Sequence, residues 1–418
     1  MGLGMIFRLG VRGYVVMLAL AVFAVVVLGA CGGSDEPKAV ATVVVAAAPE
    51  ATAAPTATVA VQAEPTATEE AEVEEPVATA VVVATKAPMA TTVAPAATVA
   101  PEPVVEAFDT SRFADIDEIV DPTNFGWPRS VETSEGVIFI DAAPMNLHSV
   151  SLGHSEILAA LMDFDRLSAV YSFFVDEEQS NIAELSANAT MIGFAPEEVV
   201  ALEPEIILAS RYTSADTIAL MGDAGIPVAR TSLESSALGN VPNILLIGYM
   251  IGAEVEAIAL ADDIEARMSF ITDILAAGVD KPRVLSVSKW TNAFAAGSGT
   301  TEGGIIEQAG GINAAGDSGI EGHQQVSIES IAAINPDVII VPQPLDGANV
   351  YIAELVGSRA LAEVPAVKNG AIYYVVPRYH TTLSHWNVRG IEQLATLLFP
   401  SLFSGVEFEE FSQWGGGG

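Results

Sequence analysis

The rhythm of apolar positions changes several times along the chain. Residues 14–29, "YVVMLALAVFAVVVLG", form one apolar run of sixteen uncharged residues behind Arg8 and Arg12. From Gly32 to about Glu106 the chain is mostly Ala, Val, Thr, Pro and Glu, with neither a 3.6-residue nor a two-residue period and no aromatic residue. Such a stretch has no face to pack. Past Arg129 short runs rich in β-branched or aromatic residues begin: "VIFI", "LSAVYSF", "EIILAS", "IPVART", "RVLSVSK", "DVIIVP" and "AIYYVV". Most are separated by segments of helical spacing, an alternation that predicts an α/β fold with parallel sheets covered by helices. Between the two sets, Asn243 to Gly278 carries apolar residues at helical spacing without a proline. As one helix this stretch would span about 50 Å. It predicts a backbone helix joining two α/β lobes, with Gly248 and Gly252 as the places where it can break; a helical hairpin inside one domain is the other arrangement the pattern allows.

The expected organisation is a signal peptide over 1–30, a low-complexity linker over 31–128, an N-terminal lobe over 129–239 and the interlobe helix over 240–278. A C-terminal lobe over 279–402 and a tail over 403–418 complete it. At 418 residues the chain is long enough for more than one core. The first apolar run is shorter than the roughly 20 residues of a permanent span and has the form of an export signal. It ends in "LGAC", Leu28 to Cys31, which resembles a bacterial lipobox. That resemblance implies cleavage before Cys31, lipidation of its thiol and anchorage at the outer face of the cytoplasmic membrane. A plain signal peptide followed by a free thiol is the alternative. A single cysteine excludes an internal disulfide. The linker, as a flexible coil, would span roughly 45 to 50 Å. Residues 107–128 are a further linker or an edge.

The formal charge of −36, from 17 basic and 53 acidic residues, excludes a nucleic-acid partner, because phosphate binding needs clustered Lys and Arg. Enzyme motifs are also lacking. "GHSEI" has no second glycine of a nucleophile elbow, and "GSGTTEGG" lacks the Lys-Ser/Thr ending of a phosphate loop.

One corner occurs twice. "EEVVALEPEIIL" (Glu197–Leu208) returns as "ESIAAINPDVII" (Glu329–Ile340). Each copy predicts a short helix, stopped before a proline because the residue preceding proline is pushed out of the helical region, and then a buried strand. Pro196 suits the first turn of one helix and Ser327 can cap the other. Glu197 and Glu329 therefore lie in first turns, where a carboxylate complements the helix dipole.

Together with "SLGHSEILAALMDFDRLSAV", "LLIGYMIGAEVEA", "EQAGGINAAGD", "QQVSIESIAAINPDVIIV" and "VPAVKNGAIYYV", these corners resemble the substrate-binding proteins of ABC importers for iron-siderophores, haem and cobalamin. The resemblance covers about residues 130 to 400 and implies two lobes on one rigid helix, a monomer without a cofactor, and a small hinge motion around a largely preformed cleft. It also implies that Glu197 and Glu329 dock on arginines of the two permease subunits.

Ligands of open α/β sheets bind beyond the carboxyl ends of strands. Arg211, Lys289 and Arg378, three of twelve basic residues from Arg129 onward, each follow a strand run and adjoin an aromatic residue. A cation beside an aromatic suits an anionic ligand with a large apolar face. Phe173, Tyr212, Trp290, Tyr379 and Trp386 complete the expected lining, and the resemblance places His154, His323, His380 and His385 at or near the cleft. His148 belongs to the strand before the first helix. Imidazole can ligate a metal, so His154 and His380 are candidate contacts to a ligand's iron, but "HTTLSH" does not set two ligands on one helical face, and no preformed metal site is expected. Alternatives are a receptor for free Zn or Mn ions and a sensory ligand-binding module.

Overall fold

The computed structural model describes residues 108–414 apart from residue 277. The expected export signal, Cys31 and the expected linker as far as residue 107 lie outside the described residues.

Two sheet-bearing halves follow one another. In the N-terminal half, β1 (Arg129–Thr133) and β2 (Gly136–Ile140) form an antiparallel hairpin, so "VIFI" belongs to a hairpin and not to a parallel sheet. Then come β3 (Leu147–Ser149), α1 (Leu152–Leu161), β4 (Val170–Tyr171), α2 (Ala183–Ser186), β5 (Met191–Ile192), α3 (Pro196–Val200), β6 (Ile206–Ser210), α4 (Ala215–Asp223) and β7 (Val228–Thr231). β3, β6 and β7 make a parallel sheet in that order, and β4 pairs with β5. The first four residues of β6 are all buried, as expected of a strand covered on both faces.

α5 (Val241–Ile251) and α6 (Glu254–Leu275) lead into the C-terminal half. There β8 (Arg283–Lys289), β9 (Ala293–Ala296), α7 (Thr301–Gln308), β10 (Ile312–Asn313), α8 (Ala314–Asp317) and β11 (His323–Gln325) precede α9 (Ile328–Ile334) and β12 (Val338–Val341). α10 (Leu345–Gly357), α11 (Pro365–Lys368), β13 (Ile372–Tyr374), α12 (Pro377–His380) and α13 (Asn387–Leu398) follow. The sheet order is β11-β9-β8-β12-β13, with β10 beside the start of β8. β8, β12, β13 and β10 are parallel, and β9 and β11 extend the sheet antiparallel.

The helical stretch breaks at Gly252, which holds a left-handed φ of 73° and caps α5. Gly248 does not break it. A Cβ there would lie 2.3 Å from that of Ala257, so this glycine lets α5 approach α6 closely.

Two boundaries shift. Residues 108–128 belong to the folded body: Phe113, Ile116 and Ile119 are buried in the core, and Phe108, Phe113 and Phe125 meet edge to face at centroid distances of 5.1 to 6.0 Å. Arg129 holds this segment down. It pairs with Glu254 and donates to the carbonyls of Phe125 and Gly126, while its guanidinium lies 4.1 Å from the Trp127 ring centre. The C-terminal stretch is no free tail either, since Phe403 and Phe411 are buried and the Trp414 amide donates to the Ala159 carbonyl at 3.0 Å.

The two repeated corners have one geometry. Pro196 opens α3, and the Ser327 hydroxyl caps α9 by accepting from the Ser330 amide at 3.2 Å. Glu205 and Asp337, each following the corner proline, tie into the neighbouring strand entrance in the same way: Glu205 accepts from the Asn146 amide at 3.0 Å, Asp337 from the Arg283 amide at 2.9 Å. Their own amides donate back to the Asn146 and Arg283 carbonyls, both at 2.8 Å.

Candidate ligand cleft between the two halves

The carboxyl ends of β6 and β7 deliver Arg211, Tyr212, Leu233, Glu234 and Ser235 to one wall of a cavity of about 540 Å³. The facing wall comes from the C-terminal half: Gly299 to Glu302 at the start of α7, Gly322 and His323 at β11, and Thr381 and Leu383 after α12. Its volume lies within the range of small-molecule sites.

Close backbone approach builds this cavity. The Thr300 hydroxyl caps α7 by accepting from the Gly303 amide at 3.1 Å. A Cβ at Gly304 would lie 2.7 Å from the Ser235 carbonyl oxygen, and one at Gly297 only 2.1 Å from that of Ile320. Of the glycines of "GSGTTEGG", Gly297, Gly303 and Gly304 are therefore packing residues, whereas Gly299 has open space around it and serves a left-handed φ of 76°.

Opposite charges pair across the rim. Arg211 donates to Glu234 at 2.8 Å, both about half exposed. His323 Nε2 lies 3.1 Å from Glu302, and that hydrogen bond raises the imidazole pKa above its ordinary value. Tyr212 is three-quarters exposed. The wall thus offers one guanidinium, one imidazole, two carboxylates and an aromatic ring to whatever enters.

A second cavity, of about 690 Å³, shares no lining residue with the first. Arg378, Tyr379 and Trp386 line it with Glu177, Asn181 and Glu410. Arg378 donates to the Glu177 carbonyl at 2.6 Å and to the Tyr379 hydroxyl at 3.2 Å; Tyr379 stacks on Trp386 at a centroid distance of 6.1 Å.

The other residues singled out from the sequence lie apart from both cavities. Lys289 pairs with Glu354 at 2.6 Å, and Trp290 is 68% exposed. Phe173 is partly exposed, its ring parallel to those of Tyr171 and Phe194. His154 is fully buried with Nε2 2.7 Å from the Thr231 hydroxyl, and burial pushes it down to about 4. His148 contacts Ser168 and Tyr171, and burial takes it to the same value. His380 is fully buried, 3.0 Å from Gln393 and also lowered to about 4. His385 is buried against Trp386 and Phe411 and lowered by burial to about 3. A strand-end pattern cannot tell these core rings from lining ones, because α12 and the loop after it turn one side inward. Glu234, Ser235, Thr300, Glu302 and Leu383 line the cavity without having been singled out as lining; only the glycine run around Thr300 and Glu302 pointed toward a tight loop. Among the described residues no group of three or more His, Cys, Asp or Glu side chains is placed to hold a metal ion.

This arrangement has known counterparts. An uncharacterized ABC transporter substrate-binding lipoprotein of Bacillus subtilis, YvrC, is 29% identical over 50% of this chain and 66% of its own length. A cobalamin-binding protein of Halobacterium salinarum is 26% identical over 58% of this chain and 64% of its own. The chain thus spans just under two thirds of the length of these relatives. The solved periplasmic heme-binding protein RhuT from Roseiflexus sp. RS-1 superposes with a TM-score of 0.55 at 23% identity, over 62% of this chain and 98% of that one. At that identity the likeness concerns the fold alone. Residues 149–379, more than half of the chain, match the periplasmic binding protein family, and the chain belongs to that family.

Proposed function

We propose that the chain is the extracytoplasmic substrate-binding lipoprotein of an ABC importer, anchored through Cys31, and that it captures an iron-siderophore, haem or corrinoid ligand between its two halves. The single observation that carries the ligand reading is the 540 Å³ cavity, where Arg211 and Tyr212 from one half face His323 from the other. A guanidinium and an imidazole beside an aromatic ring suit an anionic ligand with a broad apolar face. The names of the cobalamin-binding and heme-binding counterparts support the same ligand chemistry.

Glu197 and Glu329 are the proposed contacts to the permease subunits. Both are exposed, and each occupies the first turn of a helix at one copy of the repeated corner. Such electrostatic docking sets orientation and encounter rate more than affinity.

Titration of the intact chain with hemin, cyanocobalamin and ferric hydroxamates, followed by tryptophan fluorescence, tests the ligand reading. Saturable one-to-one binding of one of them is expected. Stoichiometric Zn or Mn in the purified protein, with none of the three bound, would replace this reading with that of a metal-ion receptor.

A further inference from the structure

Glu156, in the middle of α1, is a carboxylate with no exposed surface. Its hydrogen bonds come from both halves. Oε1 accepts from the Asn181 amide at 3.0 Å and from Asn181 Nδ2 at 2.9 Å. Oε2 accepts from the Thr382 hydroxyl at 2.6 Å and from the Ser384 hydroxyl. Asn181 also reaches over to the Arg378 carbonyl at 2.9 Å.

On its other side the same loop is held by Asn240, which is likewise fully buried. Asn240 Nδ2 donates to the carbonyls of Leu383 and Glu234, both at 2.8 Å, and its Oδ1 accepts from the Glu234 amide at 2.7 Å. Two buried polar groups therefore pin residues 382–384, Glu156 through Thr382 and Ser384, and Asn240 through Leu383. Thr381 and Leu383 line the first cavity, while Arg378, Tyr379 and Trp386 of the same segment line the second.

Burying a carboxylate is unfavourable unless its lone pairs are satisfied. Here two of the four donors belong to the C-terminal half, so the burial of Glu156 is compensated in full only when the two halves keep this arrangement. We propose that Glu156 is a positioning residue for the cleft: by tying the 381–384 loop to α1 it fixes the wall that stands between the two cavities. The part that concerns ligand rests on the cleft reading above; the tie between the halves does not.

Amide hydrogen exchange on the intact chain tests the tie. In Glu156→Ala, exchange across residues 378–386 should rise at least tenfold relative to that in β8 and β12. Glu156→Gln should restore it to within threefold, because hydroxyls can turn to accept from the new amide. Should Glu156→Ala fail to fold, Thr382→Val removes one donor from the C-terminal side and gives the same readout. Whichever of hemin, cyanocobalamin or the ferric hydroxamates binds the wild type should bind Thr382→Val at least tenfold more weakly. Exchange within threefold of wild type in the variants that fold, or raised exchange with unchanged probe affinity, overturns the proposal. If none of hemin, cyanocobalamin and the ferric hydroxamates binds the wild-type protein, the cleft reading fails, and the exchange result alone then decides whether Glu156 ties the loop.

Discussion

Glu203 and Asn335, 132 positions apart, hold the same left-handed backbone conformation, with φ of 49° and 52°, and each is followed by the proline that begins a corner. Asparagine tolerates this region and glutamate does not. Relief of that strain, less the entropic cost of a glycine, means that Glu203→Gly should stabilise the protein by about 0.5–1 kcal/mol, whereas Asn335→Gly should change little. Urea denaturation of the two variants at neutral pH checks the contrast.

The corner also carries the proposed docking carboxylates. Reversing both, Glu197→Lys with Glu329→Lys, should cut cellular uptake at least tenfold and leave ligand affinity within twofold of wild type. Uptake of a labelled ligand and a binding titration, run side by side, separate the two effects. Equal uptake would remove the docking assignment.

Four buried histidines make the fold acid-sensitive. Burial holds His148, His154 and His380 down at about 4 and His385 at about 3. Between those values and the ordinary 6.5 the unfolded chain binds protons that the folded chain does not. Stability therefore rises with pH across that window and falls as pH drops below 6.5, by up to about 1.4 kcal/mol per pH unit for each ring. Among the described residues His385 has no hydrogen-bond partner at either nitrogen, and it sits edge-on to Phe411, so phenylalanine can take its place. In His385→Phe the loss of melting temperature between pH 7 and pH 5 should be smaller than in wild type.

Arg129 makes residues 108–128 part of the body. Its ion pair with Glu254 is almost wholly buried, and replacing Arg129 with Met would leave a carboxylate there unpaired. We expect a loss of about 3–5 kcal/mol, read as a lower denaturation midpoint.

Much of the fold was legible because its signals are local. The β-branched runs, Pro196, Ser327 and the matching corners each act over a few residues, and the structure builds them as strands, a first helical turn, a cap and twin turns. The break at Gly252 was legible only as one of two choices. What decides it is contact: Ala257 lies against Gly248, while Gly252 alone adopts the left-handed conformation. Residues 108–128 looked like a linker or an edge because their apolar residues follow no period; the contacts of Phe113 and Phe125 with Tyr249 of α5, together with the ties made by Arg129, make them part of the core. At the candidate cleft, Arg211 and its neighbour Tyr212 were singled out because they follow a strand run, and His323 because the resemblance places it near the cleft. Glu234, Thr300 and Leu383 are ordinary residues made into lining by how closely Gly304 of α7 lets the halves approach at Ser235.

The most direct test of a ligand cleft between the halves is the affinity of Arg211→Ala combined with His323→Ala, measured by fluorescence titration with the probe that binds wild type. Neither side chain is buried, so the fold should survive both changes. A loss of at least tenfold with an unchanged melting temperature is predicted; affinity equal to that of wild type would place the ligand elsewhere and contradict the account.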